Sequence, residues 1–69
     1  MKYRDVEKLL IGSRFELIRQ QGSHRQFQGF VNGKPRLVTL AYHSRNDDVL
    51  PKTLASIIRQ SGLSKRLFK

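Results

Sequence analysis

The sequence predicts one small α+β domain, residues 1–69, in which two helices cover one face of a three-stranded antiparallel sheet. The 69 residues suffice for a single domain with a modest core. Apolar residues recur at helical spacing near both ends of the chain. Between these segments, alternating residues and two turn sequences indicate three strands joined as hairpins. The predicted order is α-β-β-β-α, which leaves the second face of the sheet free for a partner.

Residues 4–11 are predicted to form the first helix. Val6, Leu9 and Leu10 lie at positions i, i+3 and i+4, which places them on one face of a helix. Gly12 and the serine after it are predicted to end the helix, because glycine is a poor residue for a helix interior. This helix therefore presents an apolar face that must pack against the sheet.

The next segment, residues 15–20, changes to a period of two, which is typical of a strand. The odd-numbered residues Phe15, Leu17 and Arg19 are predicted to share one face of this strand. The even-numbered residues are predicted to share the other. Arg19 is thus expected on the same side of the sheet as the apolar Phe15.

A turn at residues 21–23 leads into a second strand that is predicted from His24 to Val31. Phe27 is predicted to face the core, so His24, three residues earlier, is predicted to face the opposite side of the sheet. Histidine can accept or donate a proton near neutral pH. His24 is therefore the candidate catalytic residue, and the alternative is an exposed strand histidine without a chemical role.

Asn32-Gly33 is typical of a type I′ hairpin turn, which needs positive φ at both central positions. It predicts a third strand at residues 36–42. Pro51 is predicted to begin the second helix, because the first helical position needs no N–H group. Gly62 is predicted to end this helix in a left-handed conformation. The residues predicted to face inward are Leu54, Ile57, Ile58 and Ser61.

The chain is strongly basic. It has 14 Lys and Arg against 5 Asp and Glu, a formal net charge of +9, and the segment between Leu17 and Asn46 contains no acidic residue. A small domain with this distribution is expected to bind phosphate groups, an acidic protein, or both. A well-solvated basic surface without a partner is the alternative interpretation.

The sequence also excludes several classes of protein. It contains no cysteine, so neither disulfides nor thiolate metal sites are available. No apolar run approaches the roughly 20 residues that a membrane-spanning helix needs. The first residues lack the apolar core of a signal peptide. We therefore expect a cytoplasmic protein that does not associate with membranes.

Three segments, in this order and at this spacing, resemble the HicA-type toxins of the YcfA-like family, which are small mRNA interferases of bacterial toxin–antitoxin pairs. Residues 19–24, R-Q-Q-G-S-H, are similar to the family pattern R-Q-x-G-S-H. Tyr42-His43 stands where the family usually has a V-P-x-H ending. Residues 51–63 resemble P-G-T-L-x-x-I-L-x-x-A-G-L. The chain departs from these patterns at Lys52 in place of glycine, at Ala41 in place of proline, and at Arg14, where N-G-F is typical.

The resemblance implies a double-stranded-RNA-binding-like fold, which has the α-β-β-β-α order deduced above. It implies ribosome-independent cleavage of RNA with His24 as the catalytic residue. It also implies a hetero-oligomeric complex with a HicB-type antitoxin, which binds over the histidine and inhibits the toxin.

Cleavage of RNA is chemistry that the basic residues and a histidine can support. RNA carries its own nucleophile, the 2′-OH, so neither a metal nor a cofactor is expected. The catalyst needs groups that transfer protons and cations that stabilise the charge on phosphorus. His24 is expected to transfer a proton, and His43 is next in line although a structural role for it is favoured. The candidate substrate-binding residues are Arg19, Ser23, Arg25, Lys52 and Arg59.

Two alternatives to a nuclease follow from the same sequence. One is a non-catalytic module that recognises double-stranded RNA through its A-form shape. Such modules usually gather several lysines at the start of the last helix, whereas this chain has only Lys52 there. The other is a protein-interaction domain, which accounts for the charge but gives no reason for a histidine directly after the turn.

Overall fold

The computed structural model describes residues 1–68 of the chain. Its elements are two α-helices, three β-strands and a short 3-10 helix, with the bounds α1 Tyr3–Gly12, β1 Glu16–Gln21, β2 His24–Val31, β3 Lys34–Ala41, α2 Pro51–Ser61 and 3-10 helix Lys65–Leu67. The strands form one antiparallel sheet in the order β1-β2-β3. The predicted α-β-β-β-α architecture is therefore confirmed. Within residues 1–68, neither helix has the length and hydropathy needed to cross a lipid bilayer.

The two faces of the sheet have different surroundings. The closed face packs against the helices and carries the buried side chains Phe27, Val38 and Leu40. The open face carries the residues that alternate with these along β2 and β3, beginning with the exposed His24. The predictions that Phe27 faces the core and that His24 faces the opposite side are confirmed.

The closed face is filled to the point where one position admits no side chain. Phe15 is buried against β2, and a Cβ atom added to Gly29 would lie 2.7 Å from Cγ of its ring. Val6 and Leu10 of α1 and Ile57 of α2 belong to the same buried cluster as Phe15. Gly29 is thus a glycine because the Phe15 ring occupies the space of its missing side chain.

The two hairpins use different turns. Between β1 and β2, Gly22 has a φ of 59° at the first central position, as glycine does in a type II′ turn. Between β2 and β3, Asn32 and Gly33 both have positive φ, 53° and 77°, which confirms the predicted type I′ turn. Both turns are tight, so they fix which residues of the neighbouring strands face each other.

The end of α1 lies where it was predicted, at Gly12 and Ser13, but its cap has an unusual residue. The helix ends at Gly12, but the residue in the left-handed conformation is Arg14, with a φ of 69°. The N–H of Arg14 donates to the carbonyl of Ile11, and the N–H of Phe15 donates to the carbonyl of Leu10, at 3.0 and 2.9 Å. These are the two hydrogen bonds of a Schellman motif, in which the left-handed position is usually glycine. The chain thus has an arginine where its helix cap favours glycine.

Helix α2 begins and ends as predicted. Pro51 is its first residue, and Gly62 follows it in a left-handed conformation with a φ of 69°. Ile57 and Ser61 are buried, and Leu54 and Ile58 are partly buried against the core. The side chain of Gln60, which is not among the residues predicted to face inward, accepts a hydrogen bond from the backbone N–H of Thr39 in β3 at 3.1 Å.

Candidate active site

A β-bulge in β1 decides which side chains accompany His24. Leu17 pairs with Phe27, but Arg19 pairs with Gln26, so two steps along β1 correspond to one step along β2. The extra residue is Ile18, and beyond it every β1 side chain changes face. The prediction that Arg19 shares a face with Leu17 is therefore wrong. The bulge places Arg19 on the open face instead.

The open face contains a shallow depression of about 280 Å³ around His24. All three strands contribute to its lining, which consists of Arg19, Gln21, His24, Gln26 and Thr39. Gln21 is paired with His24 across the first hairpin. The Nη2 group of Arg19 donates a hydrogen bond to Oε1 of Gln21 at 3.3 Å, which links the guanidinium to the residue paired with His24.

This arrangement combines two chemical functions on one concave, solvent-open surface. The exposed imidazole of His24 can exchange a proton with a bound molecule. The Arg19 guanidinium supplies a permanent positive charge and several N–H donors suited to phosphate oxygens. The amides of Gln21 and Gln26 add donors and acceptors beside them. Such a site can bind a phosphodiester and transfer a proton to or from it.

Arg25 lies on the other side of the sheet from His24. Its guanidinium carbon is 4.3 Å from the centroid of the Tyr42 ring, and its Nη1 donates to the carbonyl oxygen of Ser23 at 3.3 Å. The Tyr42 ring in turn stacks on Tyr3, with centroids 4.7 Å apart. The structure therefore does not bring Arg25 into the depression. Instead, Arg25 connects the first hairpin turn, through Ser23, to Tyr42, the residue after β3.

Ser23 contributes its backbone to the same turn. Its carbonyl oxygen accepts a second hydrogen bond, from the N–H of Tyr42 at 3.2 Å, which ties the first hairpin to the residue after β3. His43 follows directly, two residues beyond Ala41, which is paired with His24. The backbone thus brings both histidines to one end of the sheet, although His43 does not line the depression.

The two candidate cations of α2 are placed elsewhere. Lys52 and Arg59 are exposed on a helix that packs against the closed face, so the structure does not bring them together with His24. Three residues of the depression were not among the sequence candidates, namely Gln21, Gln26 and Thr39. The alternation of Gln26 with Phe27 along β2 is the sequence signal for its place on the open face, whereas the facing of Thr39 was not predicted and Gln21 was assigned to the turn.

Metal-ligating side chains are not clustered in the described part of the chain. Within residues 1–68, no group of three or more His, Cys, Asp or Glu side chains lies close enough to hold a metal ion.

Comparison with known proteins gives one result. A family model described as the HicA toxin of bacterial toxin–antitoxin systems matches residues 3–63, which include both helices, the whole sheet and the depression. Searches among curated proteins and among solved structures gave no significant match. Because the family model covers most of its length, the chain belongs to the HicA toxin family of bacterial toxin–antitoxin systems.

Proposed function

We propose that this HicA-family chain is an endoribonuclease that cleaves mRNA without a metal ion, with His24 as a general acid–base residue. The observation that carries the proposal is the bulge in β1, which places the Arg19 guanidinium beside His24 on the exposed face of the sheet. A proton-transfer group and a phosphate-binding cation are two of the components that cleavage of RNA requires.

The reaction is an internal transesterification. The 2′-oxygen of one nucleotide forms a bond to the adjacent phosphorus, and the bond from phosphorus to the 5′-oxygen of the next nucleotide breaks. A base accepts the 2′-OH proton, and an acid donates a proton to the departing 5′-oxygen. The products are a 2′,3′-cyclic phosphate and a 5′-hydroxyl end. His24 performs one of these transfers, and such groups typically contribute roughly 10²–10⁴-fold to the rate.

Arg19 stabilises the negative charge that builds up on the phosphoryl oxygens. Its guanidinium presents N–H donors in a planar fork, which matches two oxygens of one phosphate. The hydrogen bond to Gln21 limits the positions that this long side chain adopts. Arg25, which packs on Tyr42, supports the turn that carries His24 and does not contact the phosphate in this proposal.

The partner that restrains the toxin is an acidic antitoxin of the HicB type. Membership in a toxin–antitoxin family implies an antitoxin, and a net charge of +9 favours an acidic one. The open face is the surface that an inhibitor must cover, since it carries His24. We expect the complex to weaken as salt concentration rises, because its attraction is in large part electrostatic.

The test is cleavage of a labelled single-stranded RNA in EDTA by the wild type and by His24→Ala, prepared side by side. We expect the substitution to reduce the rate about 10²-fold or more. His24 is exposed, so the urea midpoints of the two proteins should agree. Lys8→Ala, which changes an exposed residue of α1, is the matched control and should cleave at the wild-type rate.

The chemistry is tested separately with a substrate that carries a 2′-deoxy nucleotide at the cleaved position, which should remain intact. Equal cleavage by the wild type and His24→Ala would overturn the role of His24, and His43→Ala would then be the next variant. Salt-sensitive binding without cleavage by any of the proteins would instead support a binding module.

A further inference from the structure

The open face continues well beyond the His24 depression and ends in an exposed aromatic ring. Phe30 is 68% exposed and lies on the same strand and the same face as His24. Pro35 is paired with it across the second hairpin, and Leu37, 47% exposed, is the next open-face residue of β3. We call these three residues the apolar end of the open face.

We propose that the RNA substrate lies along β2 as an extended single strand and that Phe30 stacks on one of its bases. The inference rests on the proposed function, because it extends the substrate from the His24 depression to the apolar end. His24 and Phe30 are six residues apart, which corresponds to roughly 20 Å of strand. A few nucleotides of extended single strand cover that distance.

The surface between the two sites has the chemistry of a base-binding platform. Gln26 and Gln28 on β2 and Thr39 on β3 present amide and hydroxyl groups, each of which offers both donors and acceptors. Base edges carry the same mixture of donors and acceptors. Sheets that bind single-stranded RNA combine such groups with exposed aromatic side chains on which bases stack.

The arrangement of the apolar residues favours RNA over a protein as the occupant of this path. Acidic residues are absent from the sequence between Leu17 and Asn46, which includes all of β2 and β3. A protein-docking surface usually has an apolar centre with a polar rim. Here the apolar residues lie at one end of a polar path, and the candidate catalytic histidine lies at the other.

The path also selects single-stranded RNA over duplex RNA. A base can stack on Phe30 only when its flat face is free of a neighbouring base. In a duplex both faces of an internal base are covered, and the A-form groove presents edges and 2′-hydroxyls instead. Recognition by Phe30 is therefore a property of unpaired nucleotides.

The experiment measures binding of a labelled 2′-O-methyl RNA oligonucleotide by fluorescence anisotropy. This probe has no free 2′-OH, so it cannot be cleaved, and binding is separated from the proposed catalysis. We expect Phe30→Ala to raise Kd about tenfold, because base–aromatic stacking has that order of magnitude. Phe30→Tyr should bind within about twofold of the wild type, because it retains an aromatic ring.

Two comparisons show whether the effect comes from stacking. Ile11→Ala removes a side chain of similar exposure, 60%, from α1 and should leave Kd unchanged. Phe30→Ala should leave the salt dependence of binding unchanged, whereas Arg19→Ala should reduce it, because only the arginine displaces counterions from phosphate. A duplex of the same sequence should bind equally to the wild type and Phe30→Ala.

An unchanged Kd for Phe30→Ala with the single strand would overturn the proposal. If the same variant also resisted its antitoxin, the apolar end would be a protein-docking surface instead. If Phe30→Ala lost binding but the wild type did not cleave RNA, the proposed RNA path along β2 would be supported and the proposed nuclease activity would be overturned.

Discussion

The two faces of the sheet are made from the same three strands, yet one is buried beneath the helices and the other is exposed. On the closed face of β2, Phe27 is buried and Gly29 is pressed against the Phe15 ring. On the open face of the same strand, His24 and Phe30 are exposed to solvent. Neighbouring residues of one strand thus have different surroundings. We expect substitutions on the closed face to change the free energy of unfolding and substitutions on the open face to change RNA cleavage or binding.

The difference shows how a chain of 69 residues combines a buried core with an exposed candidate site. A domain this small buries only about 60% of the surface of its unfolded chain, so few residues are available for stability alone. The period of two along a strand lets every second residue serve the core while the others serve a partner. We therefore expect residues that stabilise the core to be separable from residues of the candidate site.

The largest effect on stability is expected from Gly29→Ala, which adds a single methyl group to the closed face. The new methyl group would lie within 3 Å of three atoms of the Phe15 ring, so the core must shift to admit it. We expect the free energy of unfolding to fall by about 1–3 kcal/mol, measured by urea denaturation. Gly12→Ala is the control, since a Cβ atom there has no neighbour within 4 Å. Equal stability of both variants would show that the closed face is loosely packed.

Substitutions of Arg19 and Arg25 are expected to have intermediate effects, and together they compare the open face with the closed face. Arg19→Ala, on the open face, should slow RNA cleavage about tenfold, roughly 1.4 kcal/mol, without changing stability. Arg25→Ala should lower the free energy of unfolding by about 1 kcal/mol, because it removes the guanidinium from the Tyr42 ring. Its cleavage rate at a temperature where it is fully folded should stay near that of the wild type. The reverse pattern would contradict the assignment of these arginines to opposite faces.

The smallest effect is expected at a position that belongs to neither face, the left-handed Arg14 after α1. A left-handed conformation costs a residue with a side chain about 1 kcal/mol relative to glycine. Arg14→Gly should therefore raise the free energy of unfolding by about 1 kcal/mol and leave cleavage unchanged. Arg14→Ala, which also removes the charge but keeps the Cβ atom, should give no such gain. A loss of cleavage in Arg14→Gly would show that this strained arginine serves the reaction.

Local sequence rules predicted most of the fold because each element carries its own signals. Asn32-Gly33 fixed the second turn, and Pro51 and Gly62 marked the two ends of α2, as the structure confirms. The end of α1 at Gly12 was also predicted, but the conformation of its cap was not. Gly12 indicated a stop, but the Schellman hydrogen bonds require the left-handed residue two positions later, at Arg14.

The candidate site was only partly predictable, because it depends on strand register. His24 was assigned to the open face from the position of Phe27 alone. Arg19 was assigned to the wrong face, since a strict period of two cannot show that one residue of β1 is extra. Arg25 is close to His24 in sequence, but adjacent residues of a strand point to opposite faces, so sequence proximity was a poor guide.

The bulge in β1 also affects how the molecule behaves at high concentration. β1 and β3 are the edge strands, and the unpaired backbone groups of an edge strand can pair with another extended chain. In β1 the extra residue interrupts the regular spacing of these groups, and in β3 the side chain of Gln60 already occupies the N–H of Thr39. We therefore expect the distortion that places Arg19 on the face of His24 also to hinder the growth of the sheet into intermolecular aggregates.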